Sequence, residues 1–197
     1  THTTLTCARG VLKLYQATGE EKYLRLVEDV WENYVHYGMT LTYENFNWFG
    51  REDSWTEPCA VVDSFILATE LYKLTKEEKY LRYARRIWFN GLQFCQRENG
   101  GAGPNSCVKA GQADLYVKMY EAPFCCTMRY AEGLLTYQKN KELFVWNKDA
   151  EMIVDELGRR FIDDRLMVRC NGKEMPIPAG YEFSKEEMEK LVLQVIW

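Results

Sequence analysis

Apolar residues recur at spacings of three and four through Tyr80, Leu81, Ala84, Ile87, Trp88 and Leu92, with Lys79, Arg82, Arg85 and Arg86 between them. This period predicts an amphipathic helix with one buried stripe. The stretch before it differs. Residues 58–74 hold Ala60, Val61, Val62, Phe65, Ile66, Leu67, Ala68 and Leu71, apolar nearly all round, which predicts a helix buried on most sides. Thr75 to Glu77 supplies a short polar turn. The pattern over 58–92 is thus a hairpin of a buried inner helix and an amphipathic outer one.

The same hairpin occurs earlier at an offset of 57 residues. Leu14-Tyr15-Gln16-Ala17-Thr18-Gly19-Glu20-Glu21-Lys22-Tyr23-Leu24-Arg25 aligns with Leu71-Tyr72-Lys73-Leu74-Thr75-Lys76-Glu77-Glu78-Lys79-Tyr80-Leu81-Arg82, and Val30-Trp31 with Ile87-Trp88. Self-similarity of this kind marks a stacked supersecondary unit. A third inner helix is predicted from Pro123, a residue favoured in first turns, carrying Cys125, Cys126, Met128, Tyr130, Leu134 and Leu135; its outer partner is placed at Asp149 to Arg160. Repeated inner and outer helices build an all-α fold, an α/α toroid of the six-hairpin barrel type, with all inner helices starting at one end. Two long loops, 38–56 and 97–122, lead into inner helices, and loops of that length in a compact domain are usually functional.

The character changes towards the C-terminus. Arg165-Leu-Met-Val-Arg169 alternates like a short strand, Asn171-Gly172 is a turn signal, and Ser184 with Glu187 forms a capping box ahead of a helix through Met188, Leu191, Val192 and Val195. The expected division is a toroid domain over 1–160 and a short mixed extension over 161–197. Three hairpins make a partial barrel, about half of a closed ring. The chain opens within a helical pattern at Thr1 and stops on apolar Trp197, so it reads as a segment of a longer protein. Either a missing part of the same chain or a further copy, in a homo-oligomer, is expected to complete the barrel.

Composition narrows the function. The 197 residues are 47% hydrophobic and 27% charged, as in an ordinary globular protein. The formal net charge of -4 provides no basic field for nucleic acid, and no segment has the apolar length of a membrane span. The aromatic share of 14% suits sugar stacking and helical cores equally. Seven cysteines at irregular spacing do not resemble a secreted disulfide framework. Adjacent Cys125 and Cys126 can pair only through a strained ring, so reduced thiols on a metal are the simpler reading. This favours the cytoplasm, with periplasmic or secreted locations left open.

The repeat offset sets His2 opposite Cys59 and puts Cys125-Cys126 at the equivalent start of the third hairpin. Glu57, Cys59, Cys125 and Cys126 are therefore expected to meet at one end of the toroid. Three thiolates and a carboxylate make a tetrahedral set that selects zinc over magnesium or calcium. Cys7, Cys95, Cys107 and Cys170 are read as packing residues, since cysteine is among the most buried types.

Thr56-Glu57-Pro58-Cys59-Ala60, followed by Phe124-Cys125-Cys126, resembles the Glu-x-Cys and Cys-Cys motifs of glycoside hydrolase family 127, the β-L-arabinofuranosidases and their wider relatives. The resemblance covers about residues 1–140. It implies an α/α barrel with zinc held by those four positions, a carbohydrate substrate, and Cys125 as nucleophile. Tyr43-Glu44-Asn45-Phe46 matches the family's Gly-Glu-x-Phe setting, which implies Glu44 as acid/base, and a family histidine corresponds to His2 at the substrate. Several departures mark a distant branch. Tyr43 stands for the glycine, the loop from Glu44 to Glu57 is shortened, and Thr127-Met128-Arg129 replaces the usual proline and asparagine after the pair. A tyrosine expected before the pair has no match near Gly103-Pro104-Asn105.

On this reading the Cys125 thiolate attacks the anomeric carbon while Glu44 protonates the leaving oxygen, and Trp48, Phe49 and Trp55 offer a sugar platform. Two other classes stay open. One is a glycan- or protein-binding toroid in which zinc is structural. The other is a carboxylate enzyme with Glu44 and Asp53 or Glu132 as the working pair.

Overall fold

The computed structural model describes residues 1–107, 118–147, 149–170, 172–176 and 194–195. The two repeats fold as two helical hairpins. Helices α1 (His2–Thr18) and α2 (Glu21–Tyr37) form the first; α3 (Pro58–Thr75) and α4 (Glu78–Arg86) form the second. α2 and α4 begin at equivalent repeat positions, and the turns between helices match in conformation. Gly19 closes α1 in the left-handed region at φ 70°, and Lys76 closes α3 there at φ 61°. Glycine takes that conformation without penalty, whereas a Cβ makes it costly, so the repeat keeps the backbone and not the residue.

Burial follows the apolar pattern. In α3 every residue from Pro58 to Thr69 is buried, as the continuous apolar surface requires. α2 buries only its stripe of Val27, Trp31 and Tyr34. α1 and α5 (Met128–Lys139) flank α3 on its two sides. Gly133 makes the second contact close, since a Cβ there would lie 3.1 Å from Leu92 and Val62 side-chain carbons. The inner helices thus stand as neighbours α1, α3, α5 with α2 and α4 outside.

The outer helix of the second hairpin continues past Arg86 through a π-helical turn, Ile87–Gly91, and a 3₁₀ turn, Leu92–Cys95. The widened turn sets Asn90 to work outside the helix. Its side-chain amide donates to the Asp164 carbonyl at 2.6 Å and its oxygen accepts from the Leu166 amide at 2.6 Å. Asn90 and its repeat equivalent Asn33 also donate back to the carbonyl four residues earlier.

The segment docked there corrects one expectation. Instead of an outer helix over Asp149 to Arg160, the chain forms a 3₁₀ turn, Lys141–Phe144, and then strand β1 (Met152–Val154). Met152, Ile153 and Val154 are all exposed; a helix there would have had no continuous stripe to bury. β2 (Arg160–Ile162), β3 (Arg165–Cys170) and β4 (Lys173–Pro176) follow in an antiparallel meander, and β5 (Gln194–Val195) joins β3 on the edge opposite β4. The strand expected at Arg165 to Arg169 is β3, with Gly172 in the turn at φ 76°. The capping box and the helix after Ser184 lie outside the described residues, except that Val195 is in a strand and not in the expected helix.

The sheet shares the helical core through Phe161, Leu166 and Val168. It is also held by charge. Arg85 pairs with Asp163 at 2.6 Å and Asp164 at 2.7 Å, and Arg86 lies 4.0 Å over the Phe161 ring while donating to the Tyr43 hydroxyl. Arginines from the polar stripe of the outer helix are therefore consumed by the sheet. Among the described residues no helix is long and apolar enough to cross a membrane.

Candidate functional site

Glu57 is the N-cap of α3, in extended conformation at φ -131°, and Pro58 is the first helical residue. A residue before proline is driven out of the helical region, and proline is well placed at N1. This pair fixes where α3 begins and so where Cys59 points. The third inner helix begins at Pro123, as expected, but its first turn is a π turn, Pro123–Thr127. The wide turn leaves Cys125 exposed and Cys126 buried. Thr127 anchors it by bonding both the amide and the carbonyl of Ala102 in the long loop. Single π turns are frequent at functional sites.

These two helix starts bring the sulfurs together. Cys59 Sγ lies 2.7 Å from Cys125 Sγ and 3.9 Å from Cys126 Sγ, and all three lie within 4.8 Å of one another. Glu57 Oε1 is 4.0 Å from Cys125 Sγ. A zinc ion with bonds of about 2.3 Å to sulfur and about 2.0 Å to oxygen has tetrahedral edges of roughly 3.5–3.8 Å. The Cys59–Cys126 separation is close to such an edge, whereas Cys125–Glu57 is longer and Cys59–Cys125 is shorter by about 1 Å. The donor types are those zinc prefers, and it is this donor set that fits the ion. Proton balance agrees. The hydrogen bond to Cys126 and burial push the Cys59 thiol up, burial pushes Cys125 up, and the hydrogen bond from Cys59 pulls Cys126 down. Three sulfurs this close ionise together only with a cation among them.

The other cysteines divide. Cys95 and Cys107 are buried, in line with packing; burial pushes the Cys95 thiol well up. Cys7 is exposed, against expectation, because it falls on the open side of α1. The Cys170 side chain lies outside the described residues.

Glu44 is fully buried in the 38–57 loop. Asn105 donates to its Oε1 at 3.1 Å and Thr42 to its Oε2 at 3.3 Å, while Thr40 accepts from its amide. Burial is the larger effect and raises its pKa to about 7, against hydrogen bonds from Asn105, Thr56 and Thr42. The loop is tied to the start of α3: Asn45 Oδ1 accepts from the Glu57 amide at 3.0 Å, and Asn105 and Thr56 exchange two hydrogen bonds. Glu44 itself is bonded to this polar set and not to the sulfurs. Gly91 lets the loop approach, since a Cβ there would sit 2.5 Å from the Tyr43 carbonyl oxygen.

Trp48 is half-exposed and meets Trp55 edge-on at 4.9 Å in the same loop. His2 bonds Asp63 through Nδ1 at 2.8 Å. Asp53 lies on the surface, paired with Arg51, and Glu132 is paired with Arg9 and Arg129. The sequence reading passed over Asn105, Thr42 and Asp63. Asp63 left a visible signal, as the sole charged residue in the apolar run from Pro58 to Thr69.

The family model for the β-L-arabinofuranosidase, GH127 catalytic domain, matches residues 2–139. The chain belongs to this family. The match ends at the last residue of α5, so it takes in all three inner helices and leaves the sheet outside. Among solved structures the chain is similar to Ara127N-Se, a GH127 β-L-arabinofuranosidase from Geobacillus stearothermophilus T6, with a TM-score of 0.52 and 16% identity. That match covers 90% of this chain and 31% of the solved one, so the GH127 chain spans about a third of its length. At this identity the likeness speaks for the fold, in keeping with a helical toroid. No curated protein matches the sequence.

Proposed function

We propose that the chain carries the metal–thiolate centre of a zinc-dependent retaining glycoside hydrolase acting on arabinofuranosides or related plant or bacterial glycans. The observation that carries this reading is the convergence of Cys59, Cys125 and Cys126 within 4.8 Å, with Glu57 beside Cys125. Glu57, Cys59, Cys125 and Cys126 would hold the ion, which keeps the Cys125 sulfur as thiolate at neutral pH. The exposed Cys125 sulfur forms a bond to the anomeric carbon as the glycosidic C–O bond breaks, and Glu44 gives its proton to the leaving oxygen. Glu44 then takes a proton from water, whose oxygen displaces the sulfur from the sugar. A pKa of about 7 suits a group that acts in turn as acid and base. The role also requires the Asn105 contact to Glu44 to yield to the substrate. Trp48 and Trp55 serve as the sugar platform and His2 as a hydroxyl partner. The helical part through the turn at Lys141–Phe144 forms half of a barrel, completed by further chain or a second copy, with the strands that follow as its extension. Free cysteines suit a reducing compartment, the cytoplasm.

A second reading, a zinc-stabilised glycan- or protein-binding toroid without catalysis, is favoured by one observation: Glu44 is fully buried. Zinc with four protein ligands is also normally structural. Metal analysis and turnover of an aryl-glycoside panel separate the two. About one zinc per chain is expected, with cleavage of a furanoside by the wild type and none by a folded, zinc-bearing Cys125→Ser variant. A stably folded protein without metal removes the centre; unchanged turnover in Cys125→Ser removes the nucleophile; zinc without any cleavage leaves the binding toroid.

A further inference from the structure

One helical turn beyond His2, Cys59 and Cys125, the three inner helices present Thr6, Asp63 and Arg129, each four residues further along and so on the same helix face. Asp63 is the hub of this second layer. It is fully buried, accepts from His2 Nδ1 at 2.8 Å and Thr6 Oγ1 at 2.7 Å, and pairs through Oδ1 with both Arg9 and Arg129. Glu132 bridges the same two guanidiniums. A buried carboxylate is costly unless paired, and two arginines against Asp63 and Glu132 already balance the charge. His2 is therefore additional to what burial demands.

The imidazole keeps a free edge. An ionised carboxylate only accepts, so Nδ1–H donates to Asp63 and the ring's rotation and tautomer are fixed. The side chain is 31% exposed, and Nε2 makes no hydrogen bond among the described residues. His2 stands in the first turn of α1, as Cys59 and Cys125 stand in the first turns of the other two inner helices.

We propose that Asp63 is a positioning residue of the glycosidase site, orienting His2 so that Nε2 meets a hydroxyl of the sugar held at Cys125. This rests on the glycosidase reading above. A plain structural tie between three helices would also use Asp63, but it would not require His2, nor make its loss felt in turnover at constant stability.

The test uses the zinc-loaded protein and Asp63→Asn, His2→Gln and the double variant, with zinc content, melting temperature and kcat and KM on an aryl arabinofuranoside. Misplacing a substrate contact costs on the order of 100-fold, so each single variant should lose about that factor in kcat/KM at unchanged zinc content. The double variant should fall no further, because both changes remove one interaction. The imidazole nitrogen NMR spectrum of the wild type should show Nδ1 protonated and hydrogen-bonded, a signature lost in Asp63→Asn. An active wild type with Asp63→Asn at wild-type kcat/KM overturns the proposal alone, as do multiplying losses in the double variant. If Asp63→Asn does not fold, His2→Gln decides: wild-type turnover there overturns the proposal. A wild type that cleaves no glycoside overturns the glycosidase reading itself.

Discussion

Glu44 allows a direct test of its environment through the pH dependence of stability. Its carboxyl is fully buried and its pKa stands at about 7 against an ordinary value of 4.5. In the unfolded chain it ionises as pH rises through 4.5; in the folded protein it keeps its proton until about 7. Across that window the unfolded state binds fewer protons, so stability falls as pH rises. The contribution is intact below 4.5 and fully lost above 7, at about 1.4 kcal/mol per unit, or about 3 kcal/mol in total. Between pH 5.5 and pH 8, where zinc binding is more easily kept constant, the loss is about 2 kcal/mol. A Glu44→Gln variant keeps an acceptor for Asn105 and has no proton to lose, so its stability should be free of this component. Urea unfolding of both proteins at several pH values gives the comparison, since the remaining titrations cancel in the difference. The variant should gain about 2 kcal/mol on the wild type across the interval. Parallel curves would refute the account and mean that the carboxylate is ionised in its pocket at neutral pH.

Three further outcomes follow from local geometry. Lys76→Gly should raise stability by about 1 kcal/mol, because Lys76 closes α3 at φ 61° where the first repeat has Gly19; thermal unfolding would show it, and a loss would mean that the Lys76 side chain matters more than its backbone. Gly91→Ala should cost roughly 2–3 kcal/mol in urea unfolding, since the new Cβ falls 2.5 Å from the Tyr43 carbonyl; an unaffected protein would mean that the Glu44 loop moves aside freely. On the zinc reading, treatment with a chelator should lower the melting temperature and free the Cys125 and Cys126 sulfurs to react with thiol reagents, with recovery on adding zinc, because the ion would link the starts of α3 and the third inner helix.

The helical hairpins were legible because their signal is local and repeated. The 57-residue offset aligns the starts of α2 and α4, and the apolar surface of α3 matches its complete burial from Pro58 to Thr69. The segment after α5 was not legible as a third outer helix, because what organises it is remote. Asn90, Arg85 and Arg86 on the second hairpin hold the turn at Asp163-Asp164 and the start of β3. The same arginines looked like an ordinary polar stripe, and charge at helical spacing does not say whether its partner is water or a sheet.

At the site, the sulfurs and the residues around them differ in the same way. Cys59 follows Pro58 and Cys125 lies just beyond Pro123, so each falls in the first turn of an inner helix and their meeting needed no knowledge of the loops. Counting one turn further along each inner helix reaches Thr6, Asp63 and Arg129, and a single carboxylate in an apolar helix demands partners of that kind. The second layer was therefore within reach of the same argument. The setting of Glu44 was not. Its proton affinity depends on burial opposed by Thr56 in its own loop and by Asn105, which is brought in by a second long loop tied by hydrogen bonds to Thr56 and Thr127. The motif that marks Glu44 names a carboxylate, whereas its capacity to act as an acid near neutral pH comes from burial that no local pattern encodes.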